Sequence, residues 1–440
     1  MDLCISIGGR TTLRIPYETT DDREKFLDLD IDSKNLARAF IPEEPLALPD
    51  LMGNVVHAVE NPIGGKKLSE LLAGAKKVAI ITENQFRAAP VARILPWLLA
   101  QVRNAGAVPA ILIGCGKMAV LTPDAIERKF GSEVVGSGVE IYCNDVKQRE
   151  NYVYKGTTSF GVGVWVHHKV AQADVIVTIS TTQATLWGYG GSGMIVPAVA
   201  GNDTIEYNHV MSLAPDCMPG NNDCRMQQDK YEAARIAGVS MGIHMIVNND
   251  AQATYVNAGD FVEAHREAVR NYDKVYRFSA AEFNDRKADI AIVGTSAPTG
   301  DLFTHTSWAA VNCLPVVKRG GTIIFASPCR GYRTWPGFAL MDFMKPFLPA
   351  GPENREAVLK AFYDHSHGLW TGCVWYKIFE AMLHADLHVV TLPQNHELAR
   401  DIGFRVADSV QTAYMEALNR HGADAGVAFI PYGRYTILDA

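Results

Sequence analysis

From about residue 76 onward, short runs of β-branched and other apolar residues alternate with helical patterns, and this alternation restricts the fold more than any other feature. KKVAIIT (76–82), VPAILIG (108–114) and ADVIVTIS (173–180) read as strands with no polar face. Such strands need helices on both sides, which is the environment of a parallel sheet. Between them, PVARILPWLLAQVRNAG (90–106) has an amphipathic helical period and ends at glycine. TPDAIERKFG (122–131) offers Thr122 as N-cap and Pro123 in the first turn. The pattern resumes with VSMGIHMIVNN (239–249), a helix over 259–277, ADIAIVGTS (288–296), GGTIIFAS (320–327), ADLHVVTL (385–392) and a helix over 407–421. The expected fold class is α/β, with two α/β domains, mostly parallel sheets and an inter-domain crevice. The polar stretch 276–289 sets the expected boundary. An N-terminal domain over 1–278 then carries the ligand loops, and a C-terminal domain covers 279–440, its last strand free to return to the first.

The 440-residue length suits such a division. The net charge of −7 argues against a nucleic-acid or anionic-membrane surface. The longest apolar stretch, 88–102, is broken by Arg93 and Pro96 and falls short of the ~18–20 residues a spanning helix needs. The start, MDLCISIGGR, has neither a basic n-region nor a long apolar core, so no signal peptide is expected. Eight cysteines without a CxxC pair suit buried or free thiols in a reducing cytoplasm. A cytoplasmic protein with a small-molecule partner is expected, with no nucleic acid and no membrane; a homodimer is the assembly considered.

Residues just after parallel strands line the ligand crevice. The first strand runs into Thr82-Glu83-Asn84-Gln85-Phe86-Arg87, where Arg87 near a helix start either binds a carboxylate or phosphate or pairs with a surface glutamate. The second runs into Gly114-Cys115-Gly116-Lys117, where the glycines allow close backbone approach and Lys117 offers a point charge or is simply solvated. The third leads into Ser180 through Met194, with Thr181, Thr182, Gln183, Trp187, Gly190, Gly191, Ser192 and Gly193. Gly188, Gly190 and Gly193 satisfy GxGxxG formally but begin too far past the strand for a dinucleotide fingerprint. The loop reads instead as a backbone cradle for a polyoxygenated ligand. His167 and His168, beside a strand, are expected to point to opposite faces. His365 and His367 read as a solvated pair, and His209 follows the glycine loop closely enough to return to it.

The order of segments resembles the nickel-dependent lactate racemase family over nearly the full chain. It is carried by ENPIGGKKLSELL (60–72), the Arg87 turn, LTPDAIERKFG (121–131), YKGTTSFGVGVWV (154–166), KVAQADVIV (169–177) and WGYGGSGMIVPAVAG (187–201). EYNH (206–209), AGDFVEAHREAV (258–269), ADIAIVG (288–294), KRGGTIIFAS (318–327) and GADAGVAFIPYGRYTIL (422–438) continue it. The resemblance implies racemisation or epimerisation of 2-hydroxyacids with a nickel-pincer nucleotide that takes and returns a hydride. It implies two acid–base histidines, a nickel-ligating histidine, a lysine holding the cofactor covalently and an arginine on the substrate carboxylate. It also implies a glutamine and a lysine from the C-terminal domain.

Several of these positions are changed here. The arginine corresponds to Arg87 and the nickel histidine to His209, while Asn84 replaces an acidic residue. The first catalytic histidine is replaced by Gly116, and the Thr182-Gln183-Ala184-Thr185 region lacks the second. Gly190-Gly191-Ser192-Gly193-Met194 lacks the anchoring lysine, and Thr306 and Ala309 stand near the glutamine and lysine positions. The resemblance therefore implies a divergent racemase or epimerase of a 2-hydroxyacid, with a larger or sugar-acid-like substrate and a non-covalently held nickel-pincer nucleotide. The alternatives are a catalytically silent hydroxyacid- or nucleotide-binding relative and a nickel-independent hydroxyacid lyase. Lys117, Glu83 and His305 are the replacement acid–base candidates. Arg87, Asn84, Gln183, Trp187 and Trp308 are expected to meet substrate. Thr181, Thr182, Gly190, Gly191, Ser192 and Gly193 are expected to meet the cofactor, with His209 on the metal.

Overall fold

The computed structural model describes residues 2–18, 25–280, 287–295, 303–330, 344–364 and 368–439; of 18, 25, 303–305 and 371 only the backbone is described. Two compact units emerge: Glu44–Lys274, and Met1–Glu43 together with Val275–Ala440. The second cut falls between Lys274 and Val275. The first 43 residues, however, belong with the C-terminal part rather than with the domain expected over 1–278.

The continuous unit is built on a six-stranded sheet ordered Ala253–Gly259, Met241–Val247, Val175–Thr181, Lys77–Glu83, Val108–Gly114, Glu140–Cys143. All neighbours are parallel except the edge pair of Met241–Val247 with Ala253–Gly259. Alternate strand residues explain the apolar runs. Val78, Ile80, Ile111, Ile113, Val177, Ile179, Met241 and Ile243 pack on one face against the helices Leu51–Glu60 and Val91–Asn104. Ser180, Gly242 and His244 occupy the other face, where the His244 ring lies 5.3 Å from that of His265 in the helix Glu263–Tyr276. The second helix starts as its sequence requires: Pro123–Phe130 follows Thr122, whose side chain accepts from the Ala125 amide.

This strand order has a topological switch point. The chain leaves Lys77–Glu83 toward one edge of the sheet, while Val175–Thr181 lies on its other side and leads toward the opposite edge. The crevice at the carboxyl ends of those two strands is the default ligand position of such a sheet.

In the discontinuous unit, a parallel sheet runs Arg405–Val406, Asp386–Val390, Val317–Ala326, Ala288–Gly294, Val427–Ile430, Leu36–Ala39. An antiparallel meander of Cys4–Ile7, Arg10–Glu18 and Lys25–Asp32 precedes it. Leu13, Ile15, Leu29 and Ile31 of that meander share one core with Ile290, Ile292, Val427 and Phe429 of the sheet and Tyr414 of the helix Val410–His421. The last strand, Ile437–Asp439, pairs with Arg277–Ser279 and stays in this unit.

Candidate active site

At the switch point, the two strand ends are tied together by one carboxylate. Glu83 Oε1 accepts from both the amide and the hydroxyl of Thr181 at 2.6 Å, and Oε2 accepts from the Ala89 amide at 3.3 Å. Glu83 and Thr181 are both buried. These bonds use both carboxylate oxygens, so Glu83 holds the crevice walls in register and is not available as the expected acid–base group. Thr181 is likewise committed to Glu83 rather than to a cofactor. Asn84 closes the turn, its Oδ1 accepting from the Phe86 amide at 3.0 Å while Nδ2 faces the Met118 sulfur at 3.6 Å.

Arg87 follows in a loop pinned by a residue the sequence does not single out. Lys129, on the helix Pro123–Phe130, donates to the carbonyls of Arg87 at 2.6 Å and Ala89 at 3.3 Å. Desolvation, reinforced by the Arg87 charge, lowers the Lys129 pKa against the pull of Glu83.

The Gly114–Lys117 turn is aimed by its neighbours. A Cβ on Gly114 would stand 2.7 Å from that of Ala198, and Gly116, at φ +56°, donates to the Ala198 carbonyl at 3.0 Å. Asn144 Nδ2 clamps the carbonyls of Gly116 and Ala200, each at 3.2 Å. These glycines thus allow close approach of the 196–200 loop rather than of a ligand. The clamp presents Lys117 to Glu206, with which it forms a half-buried ion pair. Desolvation pushes Lys117 down to about 8, with Asp203 opposing.

Glu206 and His209 lie three apart on the helix Asn202–Val210 and so share a face. His209 is buried, and its Nδ1 donates to the Ile205 carbonyl at 2.8 Å, which leaves the lone pair on Nε2. Burial and then the Lys230 charge hold its pKa well below the usual value, so the ring is neutral. The Trp187 ring meets it edge-on at 5.3 Å. A neutral imidazole with Nδ1–H on a carbonyl is the form that ligates metals. The helix is anchored through Asn208, which donates to Asp229 at 2.7 Å; Thr158 donates to the same carboxylate at 2.5 Å.

The glycine loop is buried rather than open. Gly191 and Gly193 have φ of +95° and +79°. A Cβ on Gly193 would stand 2.4 Å from that of Ala234, and one on Gly191 would meet Ser180 Oγ at 3.1 Å and His265 Cδ2 at 3.3 Å. These two glycines serve packing, which corrects the cradle expected of them. Ser192 is buried beside them. Gly190 is packed at ordinary contact distance, a Cβ there meeting the Thr181 carbonyl at 3.7 Å; its amide donates to the Gln183 carbonyl at 3.0 Å and its carbonyl accepts from His265 Nε2 at 2.7 Å. Just before it, Thr182 Oγ1 and Gln183 Nε2 are buried without a hydrogen-bond partner among the described residues, as befits donors kept for a ligand.

The remaining expectations divide. Trp308 belongs to the discontinuous unit, where the Arg434 guanidinium lies over its ring at 4.4 Å. The side chain of His305, and all of His365 and His367, lie outside the described residues. His167 and His168 do not diverge: the strand ends at His167 and a helical turn begins at His168, so their rings stack at 4.5 Å. Glu206, Lys129 and Asp229 are site residues that strand-end reasoning misses, because each arrives from a helix; Asn144 follows the edge strand Glu140–Cys143, which the sequence reading does not assign.

Residues 23–218 match the family model described as the lactate racemase N-terminal domain. A lactate racemase of Lactiplantibacillus plantarum is 26% identical over 95% of this chain and 97% of its own length. One from Thermoanaerobacterium thermosaccharolyticum is 27% identical over 86% and 88%. Among solved structures, the lactate racemase apoprotein from Thermoanaerobacterium thermosaccharolyticum superposes with a TM-score of 0.83 at 22% identity, covering 98% of this chain and 100% of that one. A Thermotoga maritima protein shares the fold at a TM-score of 0.65 and 15% identity, over 90% and 99%. The chain is thus similar to lactate racemases along nearly its whole length, with residues 23–218 matching their N-terminal domain.

Proposed function

We propose that this chain inverts the configuration of a 2-hydroxyacid, with Lys117 and Glu206 exchanging the hydroxyl proton and Arg87 receiving the carboxylate. Similarity to lactate racemases over nearly the full chain supports a racemase-type function. The observation carrying the finer reading is the Lys117–Glu206 pair, which stands beside the position where the resemblance implies a catalytic histidine. A lysine drawn toward neutrality and coupled to a carboxylate can take and return a proton near pH 8. Glu83 acts as a positioning residue, holding the strand ends on which Arg87 and Thr182 depend.

The residues fit a metal held by one histidine within a larger cofactor. Among the described residues no three His, Cys, Asp or Glu side chains gather to hold a bare metal ion. His209 Nε2 offers one ligand position, and Thr182 Oγ1 and Gln183 Nε2 offer polar contacts to a nucleotide. When bound, a nickel-pincer nucleotide would supply acceptance and return of the hydride. With no lysine in the glycine loop, His209 and these donors would carry its retention. The substrate's further hydroxyls, if it is a larger hydroxyacid, would meet the same donors beside Trp187.

The test is nickel content and released nucleotide mass on protein co-expressed with the cofactor-forming enzymes. About one nickel per chain, lost in His209→Ala, supports this reading. A chain that stays free of nickel and nucleotide overturns it. A panel of single-enantiomer hydroxyacids, scored for racemisation against water loss, then identifies the substrate and separates inversion from elimination.

A further inference from the structure

One charged group near the site has no place in the mechanism above. Lys230 lies on the helix Arg225–Ala237 and is 4% exposed. Among the described residues its ammonium has neither a hydrogen bond nor an ion pair. Its sequence neighbour Asp229 spends its hydrogen bonds on Thr158 and Asn208 and makes no ion pair with it, so its charge offsets the burial only in part. Lysine is almost never buried unpaired, because desolvating the ammonium costs several kcal/mol. The group is also close enough to the site for its charge to act on His209 and His265, and it is itself acted on by Arg87.

We infer that Lys230 is a carbonyl-reactive amine, forming an imine with the 2-oxo carbon of a small oxoacid whose carboxylate meets Arg87. A lysine in such surroundings is activated by loss of its proton, and burial lowers the Lys230 pKa. A proton acceptor lies nearby in Cys224, whose thiol the Cys217 hydrogen bond draws down to about 7. The ammonium passes a proton to the Cys224 thiolate, and the neutral amine attacks the carbonyl carbon to give a carbinolamine. The carbinolamine hydroxyl then takes the proton back from Cys224 and departs as water, leaving a protonated imine. The imine requires no metal.

The experiment treats the full chain, purified without nickel, with pyruvate and cyanoborohydride near neutral pH, then maps the reduced adduct by peptide mass spectrometry. A depressed pKa leaves more of the amine free, so Lys230 is expected to carry more label than exposed lysines such as Lys66 and Lys155. Lys230→Met should lose that label and leave surface labelling unchanged. Should that variant fail to fold, Arg87→Met provides the second arm: it leaves Lys230 in place and should lower the Lys230 adduct with no change at Lys66. Equal labelling of all lysines, or an unlabelled Lys230 in the wild-type chain, overturns the inference. Nickel content is measured separately, so either proposal can fail alone.

Discussion

Replacing Glu83 with glutamine keeps the oxygen that accepts from Thr181 but turns an NH2 group toward the Ala89 amide, setting donor against donor. A loss of ~1–3 kcal/mol is expected, read as a lower urea midpoint with an unchanged m-value. Gly193→Ala forces a methyl against Ala234 in a left-handed backbone and should cost at least as much, ~1–3 kcal/mol from overpacking alone. If either variant unfolds like the wild type, the corresponding reading of the loop is wrong. Lys117 carries a prediction on activity instead. Its neutral form is the base, and its pKa lies near 8, so kcat/KM should rise with pH through about 8. Lys117→Met should lower kcat and remove that limb of the profile.

At the scale of elements, the helix Asn202–Val210 owes its position to Asp229 on the helix Arg225–Ala237. Asp229→Asn should loosen the docking of these helices, so nickel affinity falls about 10–100-fold although no ligand is touched. Equal nickel retention in wild type and variant would show that His209 is held by other contacts. The elements themselves were largely legible, because strands covered on both faces announce themselves as unbroken apolar runs and the Thr122–Pro123 helix start is written in its caps. The N-terminal meander had a signal too, since KFLDLDID alternates apolar and acidic residues in the period of a strand with one wet face. What could not be read were pairings across long separations. Lys117 with Glu206, Asn144 with Gly116 and Ala200, and Asp229 with Asn208 depend on how loops return to one place. Period and turn chemistry do not encode that return. The glycine loop misled for the same reason, since four glycines in six residues look alike whether the space beside them is ligand or packed side chain.

For the whole molecule, acid should be destabilising in a defined window. Desolvation draws His167 and His265 down to about 4, whereas an unfolded histidine titrates near 6.5. Between those values the unfolded chain binds more protons, so the stability present above about pH 6.5 is lost as pH falls toward 4. His167→Gln should flatten the dependence of the urea midpoint in that range, and an unchanged slope would mean His167 is protonated in the fold. A second consequence concerns synthesis. The strand Leu36–Ala39 pairs with Val427–Ile430, and residues of the meander bury their apolar face on strands that begin at Ala288. At ~5–20 residues per second, the first 43 residues wait about 20–80 s on the ribosome before their last partner is made. The 44–274 unit can close its own sheet in that interval. Leu13, Ile15, Leu29 and Ile31 thus form a nascent-chain segment suited to a holding chaperone, one released only once Val427–Ile430 has emerged.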